Sequence, residues 1–248
     1  RDASAVAAAL FLAFPSAFFM HAFYGEAVFT ALGFWAYSFA LQKRWRAMGL
    51  ILAVLTGARL PALLFVGLCA LEYLRAYNWH IRQALNPKML WFLIAPLGIV
   101  LYSMYLAIVR HDFLAMFHAY TATNDWTYQV LSPNILATIG HAALSVATAV
   151  MQHQLTYDVF INEFLPLTAI AALLTCAIYC LARLRSRGVP LFLFGVSAIV
   201  LFTLNSNVVS VHRYVLPCIV IYIAAALFYQ RGWRAIVLWL AVAGCLAP

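Results

Sequence analysis

Glu26, Arg59 and the tripeptide His212-Arg213-Tyr214 carry the chemistry this chain offers, because each adjoins or interrupts a run of residues too apolar to accept a charge without reason. Ionisable groups among such runs are costly, so they tend to face a cavity and mark function. Tyr24 and Glu26 end the stretch FPSAFFMHAFYGE (14–26), which holds a proline, a crowd of aromatics, a histidine and an acid. An arginine is permanently charged and presents a fork of donors matched to phosphate, which at a bilayer edge suits a lipid phosphate headgroup. A carboxylate beside it could act as a base or hold a sugar hydroxyl. The plainer alternative is that the arginines snorkel towards headgroups or pair with Glu26 or Asp125, and that 14–26 is an interfacial aromatic belt punctuated by Pro15.

Other chemistries find little support. His21, His80, His111, His118, His141 and His153 have no spacing that builds a metal site, and HAFYGE is not an HExxH signature. No GxGxxG or phosphate loop occurs, so nucleotide hydrolysis is not expected. Cys69, Cys176, Cys180, Cys218 and Cys245 lie in or beside apolar stretches and read as small buried residues. No cofactor and no nucleic-acid partner is expected; the expected partners are membrane lipids.

The elements that must position these groups are set by composition. The chain is 67% hydrophobic and only 9% charged, against roughly 25% charged in soluble domains, and its mean hydropathy is +0.94. This reads as a single all-α, polytopic transmembrane bundle over residues 1–248. The first residue is Arg1, and the chain reads as a fragment that begins partway into a helix. A net charge of +8 is gathered into short basic clusters between apolar runs, as on a cytoplasmic membrane face.

A spanning helix needs about 20 apolar residues. Apolar runs at 3–14 and 27–41 flank the opening stretch, and the basic cluster 42–46 then places that stretch outside. Residues 47–74 are broken by TGARLP (56–61). One continuous helix would put Arg75, Arg82 and Lys88 outside, whereas two half-length helices that dip in and return keep them inside with Arg59 at the turn. The dip is the preferred reading, since Gly57 and Pro61 supply the break. Residues 89–109 predict the clearest spanning helix, with Pro96 and Gly98 at its middle. After a mixed segment, Ser132 and Pro133 open a helix in which Thr138, His141, Ser145, Thr148 and Gln152 form a polar face opposite Leu136, Ile139, Ala143, Val146 and Val150. That amphipathic helix lies on the outer surface or lines a groove. Runs at 159–184, 189–204, 215–229 and 235–246 complete about seven crossings plus the dipped pair, with 205–214 as an outer loop.

FPSAFFMHAFYGEAVF, the basic turn, GLILAVLTGARLPALLFVG and the later HRYVLP together resemble the phosphatidylinositol-glycan class V type of mannosyltransferase and its bacterial relatives, within the membrane-embedded C-type glycosyltransferases. The likeness covers about residues 14–65 well and 205–216 more weakly. It implies an enzyme moving a sugar, mannose, from a polyprenyl-phosphate donor to a lipid or glycan acceptor on the outer side, in a bacterial plasma membrane rather than the endoplasmic reticulum. It also implies that Tyr24 and Glu26 match the family's tyrosine-acid pair, Arg59 its broken-helix arginine, and Arg213 with Tyr214 its arginine-tyrosine pair. His212 joins them as a substrate-binding residue. Leu60-Pro61 departs from the family's usual sequence after the arginine.

The resemblance places the main catalytic acid in a first outer loop that precedes this chain, leaving Glu26 as second choice; Asp2 falls inside. The implied reaction is an inverting displacement in which arginines stabilise the departing phosphate. Two other readings stand beside it. One is a transporter or flippase whose broken helices line a path past Arg59 and Glu26. The other is a noncatalytic subunit docking through the 138–152 face.

Overall fold

The computed structural model describes residues 2–14, 17, 25–59, 61–116, 118, 134–205 and 207–230. Tyr24, His21, Ser132, Pro133 and the expected crossing at 235–246 lie outside the described residues. Every regular element among those described is helical.

α1 (Asp2–Leu12) is followed by α2 (Glu26–Leu41), which ends where Lys43 adopts φ 57° in the basic turn. α3 (Trp45–Ala58) and α4 (Ala62–Ala76) occupy the broken segment. Arg59, extended at φ −157° and ψ 143°, closes α3, and Pro61 caps α4. Proline lacks the amide needed to continue a helix and restricts the residue before it, so the chain reverses here.

The reversal is real. Trp45 at the start of α3 stacks edge-on against Tyr73 near the end of α4, with ring centroids 4.8 Å apart. The hairpin's base is thereby tied, and Arg59 is left at its tip. α2 packs against both arms. One difference from the expected dip emerges: with 14 and 15 residues against 16 in α2, the arms are about 21–23 Å long and α2 about 24 Å. The hairpin is therefore as deep as its neighbour, and its tip stands level with the first turn of α2.

Residues 89–109 are not one regular α-helix. Pro87–Ile94 forms a 3-10 run, and α5 (Leu97–Arg110) begins only after Pro96. Pro96 removes an amide donor and crowds the preceding turn, which explains the change of helix type. Both halves pack on α3. The crossing of α3 and α5 is made by Gly57 and Gly98: a Cβ on Gly98 would overlap the Ala53 carbonyl and the Gly57 amide. At the same level the Thr56 hydroxyl donates to the Ala95 carbonyl.

α6 (Ile135–Met151) starts at Asn134, whose side chain accepts from the Ala137 amide at 3.1 Å. Its buried positions are Thr138, Ala142 and Ala149, while Leu136 and Met151 are more than 80% exposed. Of the expected polar face only Thr138 is buried, beside the small residues Ala142 and Ala149, while His141, Thr148 and Gln152 are exposed. His141, Ser145, Thr148 and Gln152 border an open depression with Thr156 and Val159.

A π-helical turn (Phe160–Phe164) leads into α7 (Leu165–Leu184), and α8 (Val189–Phe202) folds back on it after Arg185 at φ 51°. The pair closes tightly: a Cβ on Gly195 would lie 2.9 Å from that of Ala177. A single turn (Val211–Tyr214) precedes α9 (Ile219–Gln230). The core runs from α2 through α4 to α8, with Phe65 edge-on to Phe29 at 5.6 Å and tilted against Phe194 at 5.2 Å. Phe11, Phe34 and Tyr222 join α1, α2 and α9.

Among the described residues two helical stretches, Pro87–Arg110 and the hairpin Tyr157–Phe202, are long and apolar enough to cross a membrane. α5 is polarised against the soluble pattern, since its one buried residue is Ser103 while Ile108 is 76% exposed. Such a surface suits hydrocarbon rather than water.

Candidate functional site

Glu26 opens α2 and is almost completely buried, at 1% exposure. Its place in the first turn sets the carboxylate near unpaired amides, at the positive end of the helix dipole. Gly25 before it carries no side chain, and the space a Cβ would enter is bounded by Arg59 Cδ at 4.0 Å. The hairpin tip thus leans directly on the start of α2.

Arg59 Nη1 lies 2.8 Å from Glu26 Oε1. Arg213 reaches the same oxygen from the far end of the chain, its Nε 3.0 Å away. It is presented by the single turn Val211–Tyr214, which Ser210 opens with φ 66°, and its own amide bonds the Ser210 carbonyl at 3.0 Å. Arg213 also lies 5.3 Å from the Tyr214 ring, a cation-π contact, and Tyr214 in turn packs on Phe202 at 5.7 Å. Three distant stretches of sequence therefore meet on one carboxylate oxygen.

Both arginine nitrogens are within ion-pair distance of Oε1, yet neither is aligned for a hydrogen bond to it. The contact is Coulombic, and it leaves Glu26 Oε2 buried without a hydrogen-bond partner among the described residues. Thr30, one turn further along α2, has a buried hydroxyl in the same condition. Two guanidiniums thus share one carboxylate oxygen. The arginine side chains keep 27% and 15% of their exposure, so an anion can reach them.

His212 is half-buried beside Arg213. Burial first, then the Arg213 charge, holds its imidazole below the usual value of 6.5. It is therefore neutral at neutral pH and able to hydrogen-bond without adding charge.

The structure brings Glu26, Arg59 and Arg213 together, with Tyr214 against Arg213 and His212 adjacent. Thr30 went unnoticed in the sequence, although its spacing from Glu26 is one helical turn. A second buried acid was also missed: Glu72, 2% exposed, is held by both Arg75 Nε, at 2.8 Å, and Arg75 Nη2. Their i,i+3 spacing was the available signal. Asp112 pairs with His118 at 2.7 Å in an exposed loop, where that hydrogen bond lowers the carboxyl below its ordinary range. Among the described residues no group of three His, Cys, Asp or Glu could hold a metal. No family model, curated protein or solved structure matches the chain.

Proposed function

We propose that the Glu26–Arg59–Arg213 cluster is the phosphate-handling centre of a multi-pass membrane glycosyltransferase that moves a sugar, mannose, from a polyprenyl-phosphate donor to a lipid or glycan acceptor. The observation that carries this reading is a buried carboxylate holding two part-exposed arginines in place. Glu26 Oε1 fixes the forks, and the part-exposed guanidiniums suit the oxygens of a phosphate. In the transfer, an acceptor oxygen attacks the anomeric carbon, the bond from that carbon to the phosphate oxygen breaks, and the electron pair leaves on the phosphate. Charge thus grows at the arginines as the bond breaks, which favours the transition state over the ground state. With its Oε1 occupied by guanidiniums, Glu26 serves as a positioning group; its free Oε2 suits a hydroxyl of the sugar or the acceptor. The base that takes the acceptor proton is then a separate group, as the resemblance to the mannosyltransferases implies. About seven crossings with this cluster on the outer face belong to the same proposal.

The test uses membranes carrying the protein, supplied with radiolabelled polyprenyl-phosphate mannose and followed for label leaving the donor. Loss of label that falls about a hundredfold in Arg213→Ala supports the reading. Folded wild-type protein that consumes no lipid-linked sugar overturns it.

A second reading, a transporter or flippase, draws on one observation: two broken helices meet break to break, the α3–α4 reversal against the Pro96 kink, at Gly57 and Gly98. Discontinuous helices of this kind hold substrates in transporters. Substrate uptake into vesicles without donor consumption distinguishes it.

A further inference from the structure

At the opposite end of α2 from Glu26, a cavity of about 590 Å³ opens among Lys43, Glu72, Arg75, Asn78 and Arg187. It lies about 24 Å from the arginine cluster by the length of the helix. Its cations come from three separate turns: the one after α2, the end of α4, and the one between α7 and α8. Among the described residues Glu72 is bonded by Arg75 alone. Lys43 and Arg187 have no ion-pair partner among the described residues, and both are exposed at the cavity mouth. The floor is different in character, with Leu41, Leu191 and Ile223 forming an apolar wall. Trp79 Nε1 reaches Ser186 Oγ at 3.5 Å and links two of the bordering turns.

An excess of two positive charges above an apolar wall, between helices with lipid-suited outer surfaces, has the polarity of one particular ligand. We propose that this cavity binds the phosphate of an anionic phospholipid, with Lys43 and Arg187 on the phosphate and the acyl chains leaving along Leu191 and Ile223. Arg75, neutralised by Glu72, shapes the site and adds donors rather than net charge. Lys43 supplies a mobile point charge and Arg187 a fork, a combination that accepts a headgroup phosphate without requiring a single headgroup shape. Basic pockets between transmembrane helices recognise lipid headgroups by this chemistry. The site is independent of the sugar-transfer proposal and stands or falls separately.

The experiment is native mass spectrometry of the full chain released from detergent, titrated in parallel with phosphatidylglycerol, phosphatidylcholine and inorganic phosphate. The expected result is retention of phosphatidylglycerol over phosphatidylcholine. Affinity for phosphatidylglycerol should drop roughly thirtyfold in the double variant Lys43→Gln/Arg187→Gln, from about 1 kcal/mol per basic residue. Both side chains are exposed, and a matching melting temperature for variant and wild type without lipid shows that the variant is folded. If the variant melts early, the single variants Lys43→Gln and Arg187→Gln are each expected to lose about fivefold. Equal retention of the two lipids, or phosphatidylglycerol binding unaltered in the variants, overturns the proposal. Inorganic phosphate competing at micromolar concentration overturns the lipid assignment and leaves a small-anion site.

Discussion

Arg213 Nε and Glu26 Oε1 lie 3.0 Å apart, so the turn before α9 is fastened to the first turn of α2 by a contact that is nearly dry on the carboxylate side. Removing one partner of a buried pair strands the other. Glu26→Gln should therefore lower unfolding free energy in detergent by about 3 kcal/mol, because two guanidiniums then lose the carboxylate they share. Chemical denaturation of the single variants and of Glu26→Gln/Arg213→Gln gives the coupling, expected at roughly 1–3 kcal/mol. Strictly additive losses would show that the two side chains do not interact.

Arg213→Lys separates positioning from charge. Lysine keeps the positive charge but loses the fork and the flat contact with Tyr214. Donor consumption should fall at least about tenfold while the amount of protein in the membrane stays level. Wild-type turnover in this variant would take Arg213 off the phosphate.

The packing of α2 on α4 offers a test free of any functional assumption. A methyl group added at Gly33 would come within 2.8 Å of three ring carbons of Phe65, itself 1% exposed and held by Phe29 and Phe194. Gly33→Ala should destabilise by about 1–3 kcal/mol. Gly67, on the exposed side of α4, has nothing within 4 Å, so Gly67→Ala should stabilise by up to about 1 kcal/mol. Thermal melts of the two variants should move in opposite directions.

His212 gives a pH dependence whose sign is determined. Its folded value is below 6.5, so between the two values the unfolded chain binds more protons than the folded one. Stability from this group is complete above about pH 6.5 and is lost as the pH falls below it. The melting temperature of the wild type should drop on acidification through that window, and His212→Gln should flatten the drop. An identical profile in both would assign the change to other groups.

Much of this arrangement could be read from residue order. TGARLP announces a reversal through Gly57 and Pro61, and the basic clusters that begin and end the hairpin require both to lie on one side. That is why Arg59 could be placed at a tip and grouped with Glu26 and Arg213. Less legible were matters of depth and pairing. Nothing local says that α3 and α4 reach as far as α2, because length is set by where the helices start and by what they pack on. The 3-10 run before Pro96 depends on its contact with α3, which periodicity does not report. Nor could the sequence tell that Thr138 faces inward: its hydroxyl donates to the Asn205 carbonyl at 2.9 Å, a tertiary contact. Glu72 looked like one more acid in a basic region, and only its neighbours show it buried against Arg75.

The close approach of Gly57 and Gly98 has a mechanical meaning. Gly57 is the penultimate residue of α3, just ahead of Arg59, and it touches backbone of the kinked 87–110 segment without an intervening side chain. Backbone against backbone leaves no side-chain layer between them, so a sideways movement of the Pro96 bend would press on the α3 backbone two residues before Arg59. The backbone that carries Arg59 is thus buttressed by a segment other than the one that carries Glu26. A bulkier residue at either glycine would force the two segments apart and shift the ground on which the arginine stands.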